Sequence, residues 1–212
     1  MTGERFAPKH GPSRDGWDFA MAHLTSEQLS TRVGALSPSP ADDGSVTSLV
    51  IRPDTNEREI VDTIHVVPGQ GITGDNYVAR GDKKTPDGKA HPEAQICVMN
   101  ANVLDVFADG DKERWKLAGD QILVDFDISA DNIPNGSRFS IGTAVLEVAN
   151  KPHRGCPKFQ DRYGEDARRF ANSDPVQRYR GINVMVVTEG DISVGDSITK
   201  LDESGNGSFP PA

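Results

Sequence analysis

Cysteine is scarce in this sequence: 212 residues hold two, Cys97 and Cys156. Disulfide frameworks belong to small secreted chains with many more, so both are read as free thiols in a reducing compartment. Positive charge is short as well. Lys and Arg number 23 against 32 Asp and Glu, a formal net charge of −9. Duplex nucleic acid and anionic membranes need a basic surface to neutralise their phosphates, so neither is an expected partner. Aromatic residues make up 6% of the chain, too few for the stacking platform of a single-strand binder. No apolar run approaches the roughly 20 residues of a membrane span. The N-terminal "MTGERFAPKHGPSRDGWDFAMAH" lacks the apolar core of a secretory signal. These absences point to a cytoplasmic protein without nucleic-acid or membrane partners.

What remains reads as one domain with loose ends. Residues 1–22 and 202–212 are rich in Gly, Pro, Ser and charge without periodicity, and such segments bury too little surface to offset their ordering entropy. Between them, residues 23–201 carry short β-branched or alternating runs separated by Gly and Asp turns: 45–53, 58–67, 94–100, 121–129, 137–142, 144–152, and two strands within 182–201. That spacing predicts an all-β barrel with a few short helices at its periphery. Thr25 followed by Gln28 predicts a capping box and a helix, and 100–110 has helical spacing with Gly110 as its stop. The region 151–180 interrupts the strands. It is expected to run as a loop, then a helix over "GEDARRFAN", then "DPVQRYR" as a helical start with Asp174 as cap and Pro175 at its first position.

That interruption carries the chemistry. From Lys151 to Arg180 there are eight basic residues (151, 154, 158, 162, 168, 169, 178, 180) against four acidic ones (161, 165, 166, 174), in a chain that is otherwise strongly acidic. A local excess of that sign suits a small anionic ligand, although Arg168 and Arg169 read equally as a solvated, ion-paired helix face. Cys156 lies in this run with His153, Arg154 and Lys158 within three residues, Gly155 before it and Pro157 after it. Cations favour the thiolate, the form that attacks electrophiles and binds metals, and Pro157 stiffens the loop that presents it. Cys97, in "QICVMN", has apolar neighbours and no cation in sequence, and is read as a core residue. His91 precedes a strand and is read as an exposed turn histidine, with a place in the pocket lining as the alternative, and Trp17 and Trp115 suggest no role.

The segments "GITGD" (71–75), "AQICVMN", "LAGDQILVDFDISADNIPNGSRFSIGTAVLEVANKPHRGCPKFQDRYGEDARRF", "YRGINVMVV" and "GDISVGDSI" occur in an order that resembles the MOSC domain. The resemblance runs over roughly residues 45–200. It implies a β-barrel with a pocket for a molybdenum cofactor and makes Cys156 the catalytic sulfur, either as molybdenum ligand or as bearer of a persulfide. Cofactor contacts would come from His153, Arg154, Gly155, Lys158 and Arg180, and from the loop residues Gly71, Gly74 and Asp75, with Asp75 most simply bracing its loop. The implied activity is reduction of N-hydroxylated compounds, or sulfur transfer as a carrier module. The chain has no room for a pyridoxal-phosphate domain, and no flavin fingerprint or iron–sulfur spacing; a separate electron-donor reductase or sulfur donor is implied. A weaker reading makes Cys156 a hydrolytic nucleophile with His153 as its base.

Overall fold

In the computed structural model, residues 23–202 are described, so the expectations for 1–22 and 203–212 lie outside the described residues. Helix α1 (Ser26–Gly34) opens with the expected capping box: Thr25 accepts from the Gln28 amide and the Gln28 side chain from Thr25 N–H. Strand β1 (Gly44–Ile51) leads to a turn at Asp54–Glu57 and then to β2 (Glu59–Val61) and β3 (Thr63–Val67). The run expected as one strand over 58–67 therefore breaks at Asp62. Its first half pairs with β1 and its second leaves for another sheet, with β4 (Gly71–Ile72) and β10 (Gly190–Ser193). After α2 (Tyr77–Arg80) come β5 (Ile96–Asn100), α3 (Ala101–Phe107), a 3-10 turn over Lys112–Ala118, and β6 (Ile122–Asp125). Strands β7 (Arg138–Ile141) and β8 (Ala144–Val148) form a hairpin, helices α4 (Pro157–Tyr163) and α5 (Glu165–Ala171) follow, and β9 (Ile182–Thr188), β10 and β11 (Ser197–Leu201) complete the chain.

Seven strands, in the order β11, β7, β8, β9, β5, β6, β1, close into a barrel through the pairing of Gly44 and Ser45 with Ile198 and Ser197. Among the described residues only β5 and β6 run parallel, because α3 and the 3-10 turn carry the chain back across the outside of the wall. The all-β barrel with peripheral helices is thus the observed architecture.

Strand alternation builds two cores from one wall. Ile96, Val98, Ile122, Val124, Val184 and Val186 point into the barrel, where they meet Leu49, Phe139, Ile141, Leu146 and Ile198. Met99 and Leu123 point outward, against Leu104, Phe107, Trp115, Phe159, Tyr163 and Leu29 from the helical layer. Each such side chain contributes about 1.5–3 kcal/mol on burial, and Phe107 adds an edge-to-face contact with Phe159 at 5.7 Å. Trp115 belongs to this layer, with Nε1 donating to Asp105 at 3.0 Å.

Two expectations for 151–180 need correction. The stretch after Cys156 is helix α4, with Cys156 as its N-cap and Pro157 in the first turn; proline's fixed φ and missing N–H suit that position. The stretch 174–180 is a series of turns, with Asp174 Oδ1 accepting from Val176 and Gln177 amides. Arg178 has a positive φ of 51° and donates to Ile128 O and Ile133 O, which holds the chain in a turn. The final strands number three, because Glu189 separates β9 from β10.

Candidate functional site

The outer face of β5 and β9 is where the barrel wall turns polar. Cys97 on β5 is paired in register with Asn183 on β9, and both lie outward because their neighbours Ile96, Val98, Ile182 and Val184 fill the interior. Cys97 Sγ lies 3.4 Å from Asn183 Oδ1 and 3.9 Å from His153 Nδ1. The other ring nitrogen of His153 is 2.9 Å from Asp120 Oδ1, and Asp120 Oδ2 accepts from Arg180 Nη1 at 2.6 Å. Arg180 also donates to Ala118 O at 3.1 Å and stacks over Phe159 at 4.6 Å. Gln121 supports the row from beneath: its Oε1 accepts from Cys97 N at 2.8 Å. Cys97, His153, Asp120 and Arg180 thus form a continuous chain of partners, three of them nearly inaccessible and His153 with 15% of its side chain exposed.

The charges in this chain are mutually dependent. Burial and the Arg180 charge press the His153 imidazole down, but Cys97 and Asp120 outweigh them and raise it to about 9. Burial pushes Asp120 up, yet Arg180 and His153 hold it below the ordinary carboxylate range. Burial likewise opposes ionisation of Cys97, and His153 with Arg52 brings its thiol below the ordinary value. Cys97 is therefore buried as expected, but the expectation that it has no cation nearby is overturned. His153 and Arg52 are remote in sequence, and only the closed wall brings them to it.

A cavity of about 690 Å³ opens beside this network, lined by Lys151, His153, Arg154, Asn172, Arg178, Arg180 and Asn183 among others. Fewer cations face it freely than the sequence count suggested. Arg162 donates to Leu117 O, Arg168 to Gly155 O and Gln160, and Arg169 pairs with Glu165. Lys158 Nζ donates to Asn56 Oδ1 at 2.6 Å and Lys151 to Asp82 at 3.2 Å. Arg154 is exposed and has no hydrogen-bonded or ionic partner among the described residues.

Cys156 is exposed, and its side chain caps no helix amide. Gly155 before it donates to Asn172 on the cavity wall at 2.9 Å. A Cβ on Gly155 would approach Arg168 Cγ and Asn172 Nδ2 at 3.3 Å, so this glycine serves the packing of α5. His153 is turned toward Cys97 and Asp120, which corrects the idea that it serves Cys156 as a base. Gly71, Gly74 and Asp75 stand apart from the cavity lining. Asp75 braces its loop: its carboxylate takes Nε and Nη2 of buried Arg52, both at 2.9 Å, and the Tyr77 amide at 2.9 Å. Gly71 has φ of 74° and sits where a Cβ would come within 2.9 Å of Gln95 O. His91, expected in an exposed turn, lines a second cavity of about 410 Å³ with Tyr77, Arg80, Lys83 and Lys84.

Cys97, Asp120, Gln121, Asn183 and Arg52 were not foreseen as site residues. The visible signal was polarity inside strands. Asn183 breaks the alternation of "INVMVV", and "GDQ" stands before the apolar "ILV".

A closed, mixed seven-stranded barrel with a polar, cation-lined cleft on its outer wall is the class these features define. The MOSC domain model matches residues 85–199, over half of the sequence, and the chain belongs to the MOSC domain family. Among solved structures, the YuaD protein from Bacillus subtilis aligns over 73% of this chain and 93% of its own, at 18% identity and a TM-score of 0.55. YiiM from Escherichia coli aligns over 75% of this chain and 70% of its own, at 17% identity and a TM-score of 0.49. The first of these likenesses supports the fold. No curated protein matches the sequence. Among the described residues no helix is long and apolar enough to cross a membrane.

Proposed function

We propose that this protein binds a molybdenum cofactor through Cys156 and Arg154 and reduces N-hydroxylated compounds, with electrons from a separate reductase. The observation that carries the reading is an accessible thiol on a proline-stiffened helix start, which is not itself in the wall of the cavity of about 690 Å³ but follows by two residues the Arg154 that lines it. The donor set fits the group. A thiolate is a soft ligand suited to molybdenum already held by dithiolene sulfurs, and a pterin phosphate calls for charge-assisted N–H donors. Arg154 is free to supply them. Lys151, also in the cavity wall, is held by Asp82 at 3.2 Å in a largely covered pair. A further buried donor, Arg180 Nε, has no hydrogen-bond partner.

When bound, the cofactor supplies the two-electron chemistry that breaks an N–O bond. The chain's own residues hold and shape the site. Asn172 fixes Gly155 and so the approach to Cys156. Cys97 and Asp120, the latter clamped by Arg180, hold His153 protonated at the cavity wall near neutral pH.

The test is to produce the parent and Cys156→Ser in cells able to make the cofactor and to measure molybdenum per chain and hydroxylamine reduction with a chemical donor. Near-stoichiometric metal in the parent, with the variant losing metal or turnover, is the expected result. A parent without molybdenum but with cyanide-labile sulfur at Cys156 would replace this reading with the sulfur-carrier role, for which the exposure of Cys156 to a protein donor is the supporting feature.

A further inference from the structure

We propose that Cys97, His153 and Asp120 form a second nucleophilic centre, separate from Cys156, whose sulfur is oxidised by hydrogen peroxide and small alkyl hydroperoxides. Nucleophile, base and orienting carboxylate stand in the order such chemistry needs. Sγ faces Nδ1 at 3.9 Å, and the opposite ring nitrogen faces Asp120 at 2.9 Å. The same three residues could suggest a metal site, but the geometry argues otherwise. One donor atom from each lies within 4.8 Å of the others, but the two ring nitrogens of His153 address Cys97 and Asp120 on opposite sides. Asp120 is also already occupied by the Arg180 cation.

A buried polar group without a partner accompanies the triad. Gln121 is fully buried, and its Oε1 is fixed by the Cys97 amide, which forbids the flipped orientation. Its Nε2 is left with no hydrogen-bond partner, a donor whose isolation is costly unless something accepts from it. Access restricts the partner to small molecules: Cys97 is 9% exposed, and the way in passes His153 and Asn183 on the cavity wall. The charged groups around the sulfur are His153 from the loop after β8, Asp120 before β6, Arg52 after β1, Arg80 in α2 and the Asp75 paired with Arg52. Their sum favours a negative sulfur.

The step balances. Cys97 and His153 stand as a thiolate and imidazolium pair, the thiol proton already resting on His153; Sγ attacks one peroxide oxygen, forming an S–O bond as the O–O bond breaks. Sulfur gives up two electrons, peroxide is reduced, and the departing hydroxide takes the proton from His153 to leave as water. Cys97 becomes a sulfenic acid, the reversible first stage of thiol oxidation.

The test needs no cofactor, so its failure is independent of the reading given for Cys156. In a full-length Cys156→Ser chain Cys97 is the only cysteine. Its peroxide oxidation is followed by dimedone trapping and intact mass, at pH 6.5, for the native chain and for the same chain unfolded in urea. The native chain should form one adduct about tenfold faster than the unfolded one, because a larger share of its sulfur is thiolate, with a pH inflection below that of a free thiol. His153→Gln in the same background should abolish that advantage. A native rate equal to or below the unfolded rate would overturn the proposal, as would a folded His153→Gln variant reacting as fast as its parent. If that variant does not fold, the native-to-unfolded ratio and the pH inflection decide alone.

Discussion

The two cysteines occupy opposite kinds of setting, and sequence neighbours describe only one of them. Cys156 lies among basic residues in the chain, yet most of those cations face elsewhere: His153 toward Asp120 and Cys97, Lys158 toward Asn56, Arg168 toward a backbone carbonyl. Cys97 lies among apolar residues in the chain, yet three strands and a loop bring an imidazole, a carboxylate and two guanidinium groups around it. Local composition reports exposure and presentation. Charge at a buried atom is set by what crosses the sheet.

The sharpest way to break the contrast is to remove the hinge of the buried network. Asp120→Ala leaves Arg180 and His153 without their counter-charge, and should lower stability by about 3–5 kcal/mol, read as a fall in the urea midpoint. Next comes pH. His153 is raised to about 9 in the folded protein from an ordinary 6.5, so its contribution is fully present below about pH 6.5 and is lost as pH rises through 9. Between those values the parent should lose stability relative to His153→Gln, partly offset by the lowered Cys97 thiol, whose contribution grows as pH rises, measured by denaturation at a series of pH values. A parallel pH dependence in the two proteins would mean that the imidazole is not held as a cation. Truncating the thiols should then separate them. Cys97→Ala removes the thiol facing Asn183 Oδ1 and His153 and should destabilise by about 1–2 kcal/mol, whereas Cys156→Ser at an exposed helix start should stay within about 0.5 kcal/mol. Equal effects from the two substitutions would erase the distinction drawn between them.

Much of the fold was legible because strand patterning is local. β1, β5, β7, β8 and the helices α1, α3 and α5 follow from alternation, capping and Gly stops within a few residues. The misses have non-local causes. The break at Asp62 exists because β2 and β3 belong to different sheets, and helix α4 was hidden by reading Pro157 as a loop stiffener when proline also starts helices. The site divides in the same way. Asp75 was legible as a loop brace because its role is decided beside a turn. Arg180 could be picked out as important, but its partner Asp120 is 60 residues away. Counting arginines in 151–180 overstated the free charge, since several of them hold carbonyls at loop and helix ends.

One property of the double-cored wall bears on how the molecule moves. The barrel interior is sealed by its own residues, and the helical layer packs against the other side. Residues 149–156 contribute no regular element, yet they carry His153 and cover Cys97. The ties of this segment to the scaffold are local, from Ala149 N to Asn183 O, Asn183 Nδ2 to Lys151 O, His153 to Asp120 and Gly155 N to Asn172, so its release is expected to cost less than global unfolding. Amide hydrogen exchange would register it as faster solvent labelling of 149–156 against slow labelling of β5 and β9, so that the buried sulfur is breathed upon while its scaffold stays shut.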